Sequence, residues 1–195
     1  MIEHRWATPI SYQPVAGWAD HVLDLKAAIM AERARSEQGN LDGNSHNVWD
    51  WPHPSVTWLR EGMSEAARLY LGERGAAIDS IPSYWGRAWG NVLQSGRGFS
   101  YHSLHAHHEA DFFAVFYVDA GEAEEASGAL ALMDPRFLNN THLMNRENRV
   151  LIQPRTGWLL LAPGYVWHEV LHYHGQQPRI SIACNYQYSL LRIKD

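Results

Sequence analysis

The chain has 195 residues, enough for one domain with a full hydrophobic core, and 46% hydrophobic with 19% charged residues is typical of a globular protein. A formal net charge of -5, with no cluster of lysines or arginines, excludes a basic surface for nucleic acid or an anionic membrane. The single Cys184 excludes an internal disulfide, and the lack of a signal-type or membrane-spanning apolar run predicts a cytoplasmic protein.

Two amphipathic helices are predicted in the first third of the chain, within residues 17–39 and 53–75. In each, apolar residues recur every three or four positions and therefore share one helix face. The residues on these faces are Trp18, Val22, Leu25 and Ile29 in the first helix, and Leu59, Met63, Ala66 and Tyr70 in the second. Both helices are interpreted as packing elements without chemistry of their own.

From about residue 83 the hydrophobic period changes to two, which predicts β-strands separated by turns. Eight strands are predicted, in WGRAWGNVL, YHSLHAH, FFAVFYVD, GALALMD, RVLIQ, GWLLLA, WHEVLHY and RISIACNYQY. A mainly β (α+β) fold follows: a double-sheet jelly roll over residues 83–188, with the helices of residues 1–80 buttressing one sheet of a single domain, 1–195. The irregular segment 135–148 is predicted to be a lid.

Histidines are concentrated in HAHHEADFF, residues 105–113. In a strand, His105 and His107 project from the same face, which is a spacing suited to metal ligands. His102 and His108 differ from them by odd numbers and are predicted to face the other way. Taken alone, a short H-x-H motif in a histidine-rich protein is more typical of a polar surface loop.

Two ligands hold a metal poorly, so a metal site needs a third side chain from elsewhere in the chain. His168 is the best candidate because it begins a strand after a turn. His172 and His174 are the alternatives.

The last predicted strand alternates between apolar even positions and polar or small odd positions. Arg179, Ser181 and Asn185 therefore share one face. A guanidinium beside a hydroxyl suits a carboxylate held by charge-assisted hydrogen bonds, so this face is a candidate cavity lining. An exposed polar face of an ordinary antiparallel strand would show the same alternation.

Several small motifs, taken in order over residues 83–188, resemble those of the non-haem iron, 2-oxoglutarate-dependent oxygenases, and in particular a bacterial and mostly uncharacterised group of them. These motifs are Trp89 to Val92, Gly96, His105-Ala106-His107, Val115 to Val118, Ser127 to Leu130, Asp134-Pro135-Arg136, Pro154 to Leu159, His168, and Arg179 to Asn185.

The resemblance implies a double-stranded β-helix in which His105, His107 and His168 bind Fe(II). It also implies that Arg179 and Ser181 clamp the distal carboxylate of 2-oxoglutarate. The broader superfamily has Asp or Glu at the second ligand position, where this chain has His107, so the carboxylate of Asp111 is an alternative ligand if the strand bends.

The implied activity is a hydroxylase-type oxidation of a small molecule, with release of CO2 and succinate. Asn91 and Asn185 are predicted to contact the cosubstrate, and Trp89, Tyr117 and Trp167 to provide apolar walls. The residues predicted to face the substrate are Arg136, as a handle for an anionic group, with Tyr101, His102 and Trp167.

Two other functions are compatible with the same residues. One is a cupin-like metalloenzyme that uses the histidines without 2-oxoglutarate, and the other is a catalytically silent binding domain. Exposed edge strands or the N-terminal helices also make a homodimer conceivable.

Overall fold

The computed structural model describes residues 7–35, 47–73, 85–96, 100–122, 124, 126–136 and 149–187. Most of the predicted lid, residues 137–148, lies outside these ranges. The helices of the described residues are α1 (Val22–Arg35) and α2 (Pro54–Gly72). The strands are β1 (Ser11–Pro14), β2 (Trp85–Leu93), β3 (His102–His105), β4 (Phe112–Asp119), β5 (Leu130–Met133), β6 (Arg149–Ile152), β7 (Trp158–Pro163), β8 (His168–Val170) and β9 (Arg179–Tyr186).

The strands form two antiparallel sheets, with the orders β1-β7-β4-β9-β2 and β3-β8-β5-β6. An apolar layer between them includes Phe113, Leu132 and Leu160. This arrangement confirms the predicted double-stranded β-helix. Among the strands of the described residues, only β1 was not predicted; its sequence SYQP lacks an apolar alternation, and it pairs at the edge of the larger sheet.

Both helices pack on the outer face of the five-stranded sheet, as predicted. Leu25 of α1 and Leu59 of α2 are fully buried in a core that also contains Phe116 and Ile182. Because this sheet is covered on both faces, β4 and β7 are almost continuously apolar rather than alternating.

The first predicted helix is interrupted at its start. Trp18 belongs to a short 3-10 helix, Trp18–Asp20, preceded by Gly17 with φ +74°, and α1 begins only at Val22. No helix in the described part of the chain is long and apolar enough to cross a membrane.

Candidate active site

Three histidine side chains converge at one end of the space between the sheets. Each of His105, His107 and His168 offers a ligand nitrogen, and these nitrogens lie within 4.8 Å of one another. His105 at the end of β3 is paired directly with His168 at the start of β8, which brings together residues 63 positions apart (168 minus 105). His107 follows β3, and its backbone N–H donates to the Gly164 carbonyl at 2.9 Å. The turn between β7 and β8 therefore places the third imidazole.

Backbone carbonyls fix the protonation of two of these rings. Nδ1 of His105 lies 2.6 Å from the Ser103 carbonyl, and Nδ1 of His168 lies 2.9 Å from the Val166 carbonyl. A carbonyl only accepts, so each Nδ1 carries the proton and each Nε2 keeps its lone pair. This is the tautomer that a metal ion requires when Nε2 is the ligand.

Burial keeps the imidazoles of His168 and His107 neutral. It lowers the pKa of His168 to about 3 and that of His107 to about 4, with a further contribution from the neighbouring histidines. Phe113 stacks on the His168 ring, with centroids 4.1 Å apart, and shields it from water. At neutral pH these imidazoles are uncharged, so their donor atoms suit a divalent first-row metal.

Arg179 lies deeper in the same space and is 1% exposed. Its Nη1 lies 3.5 Å from the Ser181 hydroxyl, and its guanidinium carbon lies 5.1 Å from the centre of the Tyr117 ring. Arg179 Nε is buried and has no hydrogen-bond partner among the described residues, and the buried Tyr117 hydroxyl lies beside the guanidinium group. Burial lowers the pKa of Arg179, and tyrosines rather than carboxylates are the groups that oppose this effect.

One narrow cavity connects the histidine cluster to Arg179, with a volume of about 60 Å³. Its lining includes the three histidines and Arg179, together with Trp89, Asn91, His102, Phe113, Val115, Leu130, Val170, Ser181 and Asn185. The structure therefore brings together in one cavity the residues predicted for metal and for cosubstrate. Asn91 and Ser181 face each other across the β2–β9 ladder.

His102 is also in this cavity, so the prediction that it faces away from His105 was wrong. The β3–β8 register shifts between His102 and His105, and this irregularity breaks the simple alternation of the strand. Burial, followed by the charge of Arg179, lowers the pKa of His102 to about 4.

Other predicted substrate residues lie outside the cavity. Tyr101 is 47% exposed and packs on His172, and Trp167 is 38% exposed and contacts His108. Arg136 is exposed, and its guanidinium group donates two hydrogen bonds to the Asp134 carboxylate.

Asp111 is not part of the ligand cluster. It is an exposed residue at the bend before β4, and the cluster found among the described residues contains histidines only.

For two residues near Arg179, the sequence did not predict the surroundings that the structure shows. Tyr117 was predicted as an apolar wall, but its hydroxyl is buried beside the guanidinium group. Its pairing with Ser181 across the β4–β9 ladder could be found only once the register was known. Gly128 has φ +66°, and a Cβ there would lie 2.9 Å from Arg179 Cδ, so glycine provides the space for this side chain.

A family model described as "Putative 2OG-Fe(II) oxygenase" matches residues 87–185, just over half of the chain. The matched segment begins in β2, ends in β9 and contains all the residues of the cavity named above. A search of curated proteins finds no match.

Solved structures of similar fold cover most of the chain. A prolyl-4-hydroxylase from Pseudomonas putida has a TM-score of 0.61 and 17% identity, over 92% of this chain and 88% of that one. The epimerase SnoN of nogalamycin biosynthesis, in complex with Fe3+, alpha-ketoglutarate and nogalamycin RO, has a TM-score of 0.65 and 12% identity, over 91% and 78%. A viral collagen prolyl hydroxylase from Paramecium Bursaria Chlorella virus-1 has a TM-score of 0.53 and 12% identity, over 94% of both chains. At these identities the similarity concerns the fold.

Proposed function

This chain belongs to the 2OG-Fe(II) oxygenase family, and we propose that His105, His107 and His168 hold its iron while Arg179 and Ser181 hold 2-oxoglutarate. It is a 2-oxoglutarate-dependent oxygenase, and its cofactors are Fe(II) and 2-oxoglutarate. The family match does not favour the cupin-like enzyme without 2-oxoglutarate or the silent binding domain.

The donor atoms of the cluster suit Fe(II). Three uncharged imidazoles on one side of an ion leave its remaining positions for the cosubstrate and O2, as in sites with two histidines and a carboxylate. The difference is charge, because no side chain in the cluster is anionic. In this proposal the carboxylate of 2-oxoglutarate supplies the negative charge next to the iron.

The uncompensated charge of Arg179 is the observation that supports cosubstrate binding most strongly. An arginine that is 1% exposed and has no carboxylate beside it among the described residues is costly to bury, unless an anion enters the cavity. Its unpaired Nε, the Ser181 hydroxyl and the Tyr117 hydroxyl are donors that a distal carboxylate can use together.

When bound, the iron and 2-oxoglutarate together supply the oxidation, in which O2 is consumed, the cosubstrate becomes succinate and CO2, and the substrate is oxidised. The chain's own contribution is orientation and exclusion of water. Arg179 fixes one end of the cosubstrate. Asn91 also lines the cavity and is positioned to form a hydrogen bond with the cosubstrate. Trp89, Val115 and Leu130 form apolar walls between the two ends.

We propose that the substrate is a small molecule, because the sequence has no cluster of lysines or arginines that could bind a polyanion. The similarity in fold to SnoN, whose complex contains nogalamycin, is compatible with this choice. Tyr101, Trp167 and Arg136 stay as predicted substrate contacts near the surface.

Replacing Arg179 by Met tests the proposal. The apolar side chain fills similar space but cannot pair with a carboxylate, so we expect 2-oxoglutarate to bind the Fe(II)-loaded protein about 10- to 100-fold more weakly. Calorimetric titration under nitrogen measures this affinity. The apoprotein should melt at no lower a temperature than the wild type, since the variant removes a buried unpaired charge.

Arg155→Met is the matched control, because Arg155 is exposed and packs on Trp158 instead. Its affinity for 2-oxoglutarate should equal that of the wild type. Unchanged affinity in Arg179→Met would contradict the proposed cosubstrate site and favour a metalloenzyme that does not use 2-oxoglutarate.

A further inference from the structure

The cavity opens to solvent at one end of the paired strands β2 and β9. Along β9, Ser181 is buried and Asn185 is half-buried, and along β2, Trp89 is half-buried and Arg87 is exposed. Because the two strands are antiparallel, exposure increases toward the same end of both. The amide group of Asn185 lies 3.3 Å from Nδ1 of His107. The mouth of the cavity is therefore at the end that carries the histidines.

Arg87 belongs to the face of β2 that lines the cavity. Ala88 packs in the core on the helix side of the sheet, whereas Trp89 lines the cavity, so alternation places Arg87 with Trp89. The register shifts just before Ala88, where Gly86 and Arg87 together stand opposite Asn185. Residues opposite each other in a ladder share a face, and Asn185 is on the cavity face. Both arguments place the Arg87 guanidinium at the mouth.

The charge of Arg87 is not used within the protein. Its side chain forms no ion pair or hydrogen bond with another residue of the described ranges. The exposed side chains of Arg35, Arg68 and Arg136, by contrast, each donate to a carboxylate two or three positions earlier in the chain. The guanidinium of Arg87 is therefore available to an anionic group that reaches the mouth.

A carboxylate flanks Asn185 on its other side. Glu109 is exposed, its Oε1 lies 3.3 Å from the Asn185 amide, and its backbone carbonyl accepts from Gln187 at 2.9 Å. Because β9 lies between β4 and β2, Glu109 on the β4 side and Arg87 on the β2 side stand on either side of Asn185. These two described residues form no ion pair with each other. The mouth thus presents one positive and one negative group.

We propose that Arg87 and Glu109 select a substrate that carries both charges, an α-amino acid with an apolar side chain. Arg87 binds its carboxylate, and Glu109 binds its ammonium group. The amino-acid side chain extends along Trp89, whose ring centre lies 6.2 Å from that of His107. This inference rests on the proposed iron site and names the substrate class that the site serves.

The same pair of charges disfavours simpler ions. A carboxylic acid without an amine is attracted by Arg87 but repelled by Glu109, and an amine without a carboxylate meets the reverse. Only a molecule with both groups satisfies both residues. The proposal therefore predicts discrimination between a free amino acid and derivatives that lack either charge.

Calorimetric titration under nitrogen tests the proposal on protein loaded with Fe(II) and 2-oxoglutarate, so that binding is measured without turnover. The probes are the common apolar L-α-amino acids, with the N-acetyl and carboxamide derivatives of those that bind. We expect at least one free amino acid to bind, and each derivative to bind about 10-fold more weakly. If none of them binds to wild-type protein that does bind 2-oxoglutarate, the inference is overturned.

Two variants assign the charges one at a time. In Arg87→Gln the affinity for the free amino acid should fall about 10-fold, and conversion of its carboxylate to the carboxamide should then cost little more. In Glu109→Gln the same pattern should hold for acetylation of its amine. A derivative that loses as much affinity in the variant as in the wild type would contradict the corresponding contact.

Arg155→Gln and Glu169→Gln are the matched controls. Arg155 is exposed and packs on Trp158, and Glu169 lies between His168 and Val170 of β8, which both line the cavity, so it points away from the cavity. Both should bind the amino acid as tightly as the wild type. If the wild type binds no 2-oxoglutarate, the proposed function fails. If it does, but the Arg87 and Glu109 variants match the controls, only the inference fails.

Discussion

Burial of three histidines of the site lowers the stability of the fold by an amount that depends on pH. His102, His107 and His168 have pKa values lowered to about 4, 4 and 3, whereas an unfolded histidine titrates near 6.5. Below about pH 6.5 the unfolded chain therefore takes up protons that the folded chain does not. Stability is lost as pH falls from about 6.5 toward the folded pKa values.

We expect the metal-free protein to melt at a clearly lower temperature at pH 5.0 than at pH 7.5, as measured by calorimetry. In His102→Phe one of these groups is replaced by an apolar ring, so the decrease should be smaller. An equal decrease in the variant and the wild type would contradict the assignment of the pH dependence to the buried imidazoles.

Gly128 and Gly96 provide a matched pair of substitutions. Both have positive φ, +66° and +72°, so alanine is strained at either position, by about 1–2 kcal/mol. At Gly128 the added Cβ meets Arg179 Cδ and Tyr173 Cδ2, each at 2.9 Å, whereas no atom of the described residues lies within 4 Å of an added Cβ at Gly96.

Gly128→Ala should therefore weaken 2-oxoglutarate binding as well as lower the melting temperature, and Gly96→Ala should do only the second. Calorimetry of unfolding and of cosubstrate binding measures both effects. Equal cosubstrate affinity in the two variants would show that the space at Gly128 does not control the position of Arg179.

Single residues of the cavity could be predicted wherever a regular strand carried them. Alternation along β9 placed Arg179, Ser181 and Asn185 on one face, and the cavity lining confirms it. His102 could not be placed in this way, because a register shift in β3 reverses the direction of its side chain. The Asn185 amide nitrogen also lies 3.3 Å from Oε1 of Glu109, and no pattern in the sequence predicts this contact.

At the scale of elements, the helices support the sheet that carries half of the site. Leu59 of α2 is fully buried against the outer face of this sheet, whereas Leu69 of the same helix is 53% exposed. Leu59→Ala should cost about 2–5 kcal/mol of unfolding free energy. Leu69→Ala should change it by no more than about 0.5 kcal/mol.

Urea unfolding of both variants measures these costs, and a single transition in each would support one domain over residues 1–195. A loss at Leu69 as large as that at Leu59 would contradict the packing of α2. Because the helices lie on the face opposite the cavity, Co(II) should bind both folded variants as tightly as the wild type.

The helices and the long strands were predictable because their apolar periods are strong. The helical spacing in residues 53–75 matches α2, and FFAVFYVD matches β4 without error. Short strands were less predictable: β1, at a sheet edge, was missed, and β8, between β3 and β5, has three residues where seven were predicted. In these segments pairing with a neighbouring strand, rather than local pattern, determines the structure.

Across the whole molecule, the antiparallel pairing joins residues that are far apart in the chain. β3 beside β8 unites His105 with His168, and β9 between β4 and β2 places Arg179 at the inner end of the same cavity. The sequence predicted these partners through their order in family-like motifs. The distances between these side chains are determined by the pairing of strands in the two sheets, which the sequence motifs do not give.

The central claim is that the three histidines bind iron and that Arg179 anchors 2-oxoglutarate to it. Anaerobic titration of the apoprotein with Fe(II) and then 2-oxoglutarate tests it most directly, through the weak visible charge-transfer band that accompanies chelation. We expect the band in the wild type and in His108→Ala, whose histidine lies outside the cavity, but not in His168→Ala. Iron binding without a band on addition of 2-oxoglutarate would contradict the claim, because the site would then hold metal without this cosubstrate.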